Sequence, residues 1–420
     1  MMDSYSVEEK QYLVEISNQL SEIANDLNIL TRLAWPESVK EEFFNSGCQR
    51  LPLVEYEAYS SDEKLRALEE CRNLLNGSRF DPWIIDNIES VENSVRMLAC
   101  LGTESFSYYS RKVYGYPMQK LRDEKSTSFA LASQMLQLIQ PMEGLFLGEP
   151  PPACVLASTV AEKMQEAVKK FGDKAPEIVI VDSLSANALA GSERVRIRRN
   201  ACFTDNDVLQ LVEHEINIHV ATLLNGKHPD NLGILGSVLP RTTKTQEGLA
   251  VFAEFITGNM DIDRFARLAH RVIAIQMALD DATFIDVYRY FLEHTDNPEQ
   301  SFENARRVFR GGVVSGGAPF TKDIVYLDGL LRVHNFLRAA VMNKKSQFIP
   351  LLFSGRMCLD DIVVVNKLKQ IGLCAEPMYL PDWAGDLRFL LSYLSYSSFL
   401  NSVDMTNVNE HYGALLSELV

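Results

Sequence analysis

The chain has 420 residues, 46% of them hydrophobic and 23% charged, enough apolar material for an extensive core and one or two domains. Its 41 basic residues against 56 acidic ones leave a formal charge of −15, which disfavours nonspecific binding to nucleic acid or to an anionic lipid surface. The seven cysteines, Cys48, Cys71, Cys100, Cys154, Cys202, Cys358 and Cys374, include no C-x-x-C pair, so buried free thiols are expected in place of a disulfide framework or a Cys-rich metal site.

The N-terminus, MMDSYSVEEKQYL, has no basic or apolar leader pattern, so no secretory signal is read and a cytoplasmic location is expected. Ser6 and Glu9 make a capping-box pattern ahead of an amphipathic run marked by Leu13, Ile16, Leu20, Ile23, Leu27 and Leu30. Trp35 precedes Pro36 and should end that helix, because a residue before proline is pushed out of the α region. The expected organisation is a helix over residues 1–34 packed on a main body of residues 35–420.

From Pro176 the pattern changes. EIVIVDSL and SERVRIRRN read as strands, the second with Val195 and Ile197 on one face and Arg194, Arg196 and Arg198 on a wet one. TDNDVLQLVEHEINIHVATLL then opens with Thr204 and Asp205 as N-cap candidates and runs as a helix until Asn225-Gly226. A further helix, TKTQEGLAVFAEF, carries Glu247 and, one heptad on, Glu254. Beyond Gly258 the chain is helical again except for a glycine-rich loop, FRGGVVSGGAPFTKD. The late apolar stretch LRFLLSYLSYSSFL is too short and too rich in serine and tyrosine to span a bilayer, so no membrane partner is expected. These elements together predict a mainly α protein with a small β-sheet beside the helix of HEINIH.

In HEINIH the two histidines, His214 and His219, are five residues apart. Histidines four apart lie roughly 40° apart on a helix and share a metal, whereas a spacing of five separates them by roughly 140°. A π-bulge, in which residues i and i+5 come into line, would bring them together. With such a bulge, His214, His219 and Glu247 form the two-histidine, one-carboxylate set of a catalytic zinc site, and Glu215 beside the first histidine is the candidate general base. Glu254 could orient a ligand histidine or serve as the third ligand itself. The residues alone leave another reading open, in which His214 and His219 are satisfied core histidines and Glu247 a glutamate favoured near a helix N-terminus.

HEINIH followed by TQEGLA, together with WPESVKEEFFNSG, VYGYP, FTKDIVYLDGLLR and GLCAEPMYLP, resembles the microtubule-associated tyrosine carboxypeptidase family, whose bacterial members are flavohemoglobin expression-modulating QEGLA motif proteins. The resemblance runs from about Trp35 to Trp383. It implies a zincin-like metallopeptidase core holding Zn2+ on His214, His219 and Glu247, a zinc-bound water activated by Glu215, and a peptide or protein C-terminus as substrate. Animal members act on α-tubulin, but that substrate is not carried over to so acidic a chain. A carboxypeptidase also needs a cation for the terminal carboxylate and a donor for the oxyanion, and Arg310, Lys322 and Tyr326 are the candidates. The alternative is a regulatory or interaction protein with a structural or non-catalytic metal site. The oligomeric state is not legible.

Overall fold

The computed structural model describes residues 7–142, 155–182, 184, 186–191, 193–295 and 297–418. Helices make up most of it, with one three-stranded sheet. Helix Val7–Asn25 buries Leu13, Ile16 and Leu20 as expected, while Ser6 of the predicted capping box lies outside the described residues. The run to Ala34 is not one helix. Asn28 adopts a left-handed conformation, φ 45°, and separates Val7–Asn25 from the short helix Ile29–Arg32. Asparagine tolerates that conformation, and no glycine or proline marks the break.

The sheet has the order β1-β3-β2, with β1 Glu177–Val181, β2 Ala188–Ala190 and β3 Arg194–Arg198. β1 runs parallel to β3, and β2 pairs antiparallel to it. In β3, Val195 and Ile197 are buried while Arg194 and Arg196 are exposed, the alternation that the sequence shows. β2 was not predicted; three residues are too few to show a period.

Three apolar clusters meet around the middle of the chain. One gathers the N-terminal helix, helix Asp81–Ala99 and much of helix Thr243–Ile256. The second is rich in aromatic side chains from Trp35 to Phe320. The third packs helix Ala157–Val168 and the sheet against Ile216, Val220, Ala221 and Leu224. Ile218 and Ile216 belong to different clusters, so the helix that carries them is anchored on two sides. Its polar residues are thereby held in the seam between the clusters.

Two glycines explain why QEGLA and YLDG occur together. Helix Thr243–Ile256 crosses helix Ile324–Met342 at Gly248 and Gly329. A Cβ on Gly248 would fall 2.8 Å from Gly329 Cα, and one on Gly329 would fall 2.9 Å from Gly248 N. Only two bare backbones fit there. The ion pair of half-buried Lys244 with buried Asp328 flanks the crossing.

One expectation fails among the cysteines. Cys202 is disulfide-bonded, while Cys48, Cys71, Cys100, Cys358 and Cys374 are free as expected. Spacing alone carries no sign of a single bridge. Cys154 lies outside the described residues. Among the described residues no helix is long and apolar enough to cross a membrane.

Candidate metal centre

The helix of HEINIH begins regularly. Thr204 caps it, its side chain accepting from Asp207 N–H while Asp207 Oδ2 accepts from Thr204 N–H at 2.9 Å. After Asp205–Leu211 the backbone widens into a π-helix over Val212–Val220, then narrows to an α-helix over Ala221–Gly226. The widening places residues five apart on one side, and the two imidazoles stand with ring centroids 4.8 Å apart, nearly perpendicular. At its end Thr222 donates its hydroxyl to the Ile218 carbonyl at 2.8 Å and lies 2.7 Å from the side-chain oxygen of Gln246. The glutamine of QEGLA thus meets the widened helix, and Glu247 follows it.

Glu247 Oε2 lies 3.3 Å from His214 Nε2 and 3.5 Å from His219 Nε2. Neither separation makes a hydrogen bond, and Oε2 is buried without a hydrogen-bonding partner. Those distances do match the edges of a tetrahedron with arms of about 2.0–2.1 Å, which are about 3.3–3.4 Å long. All three donor atoms lie within 4.8 Å of one another. Three convergent donors, one of them an orphaned buried oxygen, fit a small divalent cation.

Around these donors stands a second layer of charge. His214 Nδ1 and Glu254 Oε1 are 2.6 Å apart, and Glu254 in turn receives Arg264 Nε at 2.8 Å and Nη2 at 2.9 Å. Glu254 therefore sits behind the imidazole, on the opposite nitrogen from Glu247. Burial favours the neutral imidazole of His214, but Glu247 and Glu254 outweigh it and push its pKa up to about 10. Burial likewise works against an ionised Glu254, yet Arg264 and His214 bring its pKa down to about 2.

Lys322, a candidate from the sequence for holding the terminal carboxylate, precedes helix Ile324–Met342 and is buried, donating from Nζ to Glu247 Oε1 at 3.1 Å. Burial alone would raise the Glu247 pKa, but Lys322 and then the two histidines hold it well below the usual carboxylate range. Tyr326 is enclosed by cations: Arg271, Lys322 and Arg307 lie 4.9, 5.1 and 5.8 Å from its ring centroid. Arg307 also donates to its hydroxyl oxygen at 3.3 Å and forks onto Asp323 at 2.5 and 2.9 Å. Arg310 is buried with its guanidinium 5.6 Å from the Phe320 ring centroid.

Glu215 is buried on the side of the helix that meets the sheet, where its Oε2 accepts from Ala190 N–H at 2.8 Å. The sequence predicted a sheet beside the helix but not the strand that makes this bond. It also passed over Arg264 and Arg356. For Arg264 a signal existed, since a buried Glu254 requires a counter-cation; Arg356, in the loop SGRM, had none. Arg356 is acted on by the carboxylates of Glu247 and Glu215, although burial still lowers its pKa.

The model of a family described as microtubule-associated tyrosine carboxypeptidase matches residues 41–402, nearly the whole chain. No curated protein matches the sequence. A crystal structure described as that of a lipoprotein from Colwellia psychrerythraea aligns over 94% of this chain and 76% of its own, at 14% identity and a TM-score of 0.39, a likeness too slight to carry an argument.

Proposed function

Because the chain belongs to the microtubule-associated tyrosine carboxypeptidase family, we propose that it is a zinc-dependent carboxypeptidase that hydrolyses the last bond of a peptide or protein C-terminus. The observation that carries the metal is the set His214, His219 and Glu247, with tetrahedral-edge separations of 3.3 and 3.5 Å. Two histidines and a carboxylate suit zinc and leave a position for substrate or water. The metal helix beside the sheet, bonded through Glu215 to the edge strand, supports a zincin-like core.

A divalent ion bound there supplies a water that is acidic near neutral pH and polarises the scissile carbonyl. Glu215 takes the proton of the attacking water and passes it to the leaving amine. Ala190 N–H fixes one carboxylate oxygen of Glu215 and leaves the other for the proton. Arg264 and Glu254 hold the His214 ring so that Nε2 faces Glu247. Lys322 keeps Glu247 ionised and turned towards the imidazoles. Since Arg307 donates to the Tyr326 oxygen, the Tyr326 hydroxyl hydrogen is available to the oxygen on which charge develops. Arg310 and Lys322 add positive potential for the terminal carboxylate of the substrate.

A purely structural ion would require no proton acceptor beside its first ligand, so the placement of Glu215 favours catalysis over the regulatory alternative. The test compares metal-loaded protein with its Glu215→Gln variant on peptides varied at the C-terminus. Release of the terminal residue should fall by about 10²- to 10⁴-fold with metal content unchanged. Equal release by both proteins would overturn the reading.

A further inference from the structure

We infer that Arg356 is the residue that binds the free carboxylate of the substrate's last residue, and so restricts cleavage to chain ends. The inference rests on the carboxypeptidase reading and starts from how the other cations of the site are used. Arg264 is spent on Glu254 and Lys322 on Glu247. Arg307 is spent on Asp323, and Arg271 lies 3.8 Å from the same carboxylate. Arg310 lies against Phe320. Among the described residues around the site, Arg356 is left without an ion-pair or hydrogen-bond partner for its side chain, and its Nε is a buried donor with none.

A buried guanidinium donor without an acceptor costs about 1–3 kcal/mol, and a chain retains that cost where a ligand relieves it. The backbone that carries Arg356 is held firmly. Asn231 Nδ2 donates to the Ser354 carbonyl at 3.1 Å, and Arg356 N–H donates to the Leu235 carbonyl at 2.8 Å. Between them Gly355 lies so close to its neighbours that a Cβ there would fall 2.6 Å from Leu235 O and 3.2 Å from Gly226 Cα. On the far side, Asp361 Oδ2 accepts from Cys358 N–H at 3.1 Å and Thr245 Oγ1 from Leu359 N–H at 3.1 Å. Thr245 belongs to the helix of Glu247, so loop and metal ligands are built on one frame.

That frame puts the guanidinium in the field of Glu247 and Glu215. Both carboxylates already have partners, Lys322 for Glu247 and Ala190 N–H for Glu215. A third carboxylate arriving from a peptide end matches the free fork of Arg356, which offers two parallel N–H donors. Preorganisation on a pinned loop keeps the entropic cost of that contact low.

Binding separates this inference from the catalytic one, because it can be measured where turnover is silenced. Metal-loaded Glu215→Gln protein is titrated with N-acetylated tripeptides that differ only in ending as a carboxylate or a carboxamide. The acid should bind at least about tenfold more tightly. Adding Arg356→Gln should weaken the acid by about 10- to 100-fold and the amide by less than about threefold, with Arg356→Lys in between because it restores charge without the fork. Thermal unfolding distinguishes a structural role: Arg356→Gln should leave Tm unchanged or raised, because the side chain has no partner to lose. Unaltered acid preference in Arg356→Gln, equal binding of acid and amide before it, or a lowered Tm in both Arg356 variants would overturn the inference. Failure of the peptidase reading would register elsewhere, as undiminished hydrolysis by Glu215→Gln.

Discussion

The two helices that face each other across the metal centre place their functional side chains by opposite means. Helix Thr243–Ile256 is regular, and its Glu247 and Glu254, seven residues apart, fall within roughly 20° of one another simply because seven residues are nearly two turns. The facing helix must widen over Val212–Val220 to bring residues five apart into line. One geometry costs nothing beyond helix formation; the other has to be held by its surroundings. The difference assigns roles: the regular helix serves as the ruler, supplying one carboxylate to each nitrogen of His214, and the widened helix is fitted against it.

If the regular helix is the ruler, moving it should do the greatest damage. Gly248→Ala would drive a methyl to 2.8 Å from Gly329 Cα, and neither backbone can yield without parting the two helices. The expected loss is on the order of 3 kcal/mol or more, beyond the usual cost of overpacking because the obstacle is main chain. Chemical denaturation measures it; a loss under 1 kcal/mol would show that the crossing is slack. Glu254→Gln comes next. It keeps an acceptor for His214 but removes the charge that Arg264 neutralises, so metal affinity should drop by about 10- to 100-fold, as read in a competitive chelator titration. An unchanged affinity would show that the imidazole is positioned without the carboxylate behind it.

How much of this was legible in the sequence follows the same division. The heptad of Glu247 and Glu254 could be read directly, because a regular helix converts spacing into direction. HEINIH could be read in part because its spacing is wrong for an α-helix, so a metal shared by both histidines required a widened turn, and the structure has one. What stayed hidden depends on contacts between distant segments. The bond from Ala190 to Glu215 needs a three-residue edge strand too short to show alternation. The burial of Lys322 against Glu247 joins residues 75 apart, and the place of Arg356 depends on a loop fixed by Asn231 and Leu235. The break at Asn28 was invisible for a local reason, since asparagine enters the left-handed region without the glycine or proline that usually announces a turn.

The smallest expected effect decides what holds the widened helix open. Two candidates are on hand: the hydroxyl of Thr222, placed between the Ile218 carbonyl and the Gln246 side chain, and the packing of Ile216, Ile218 and Val220, all fully buried in two different clusters. Each of those side chains contributes about 1.5–3 kcal/mol by burial, against about 0.5–1.5 kcal/mol for a hydrogen bond, so packing should dominate. Thr222→Val keeps the shape and deletes the hydroxyl. Stability should fall by about 1 kcal/mol, and metal affinity should change by less than tenfold because the imidazoles stay in line. A larger loss of metal, with stability falling no further, would mean that the threonine and not the packing keeps His214 and His219 on the same side, and that the glutamine of QEGLA fixes the width of the opposing helix as well as preceding a ligand.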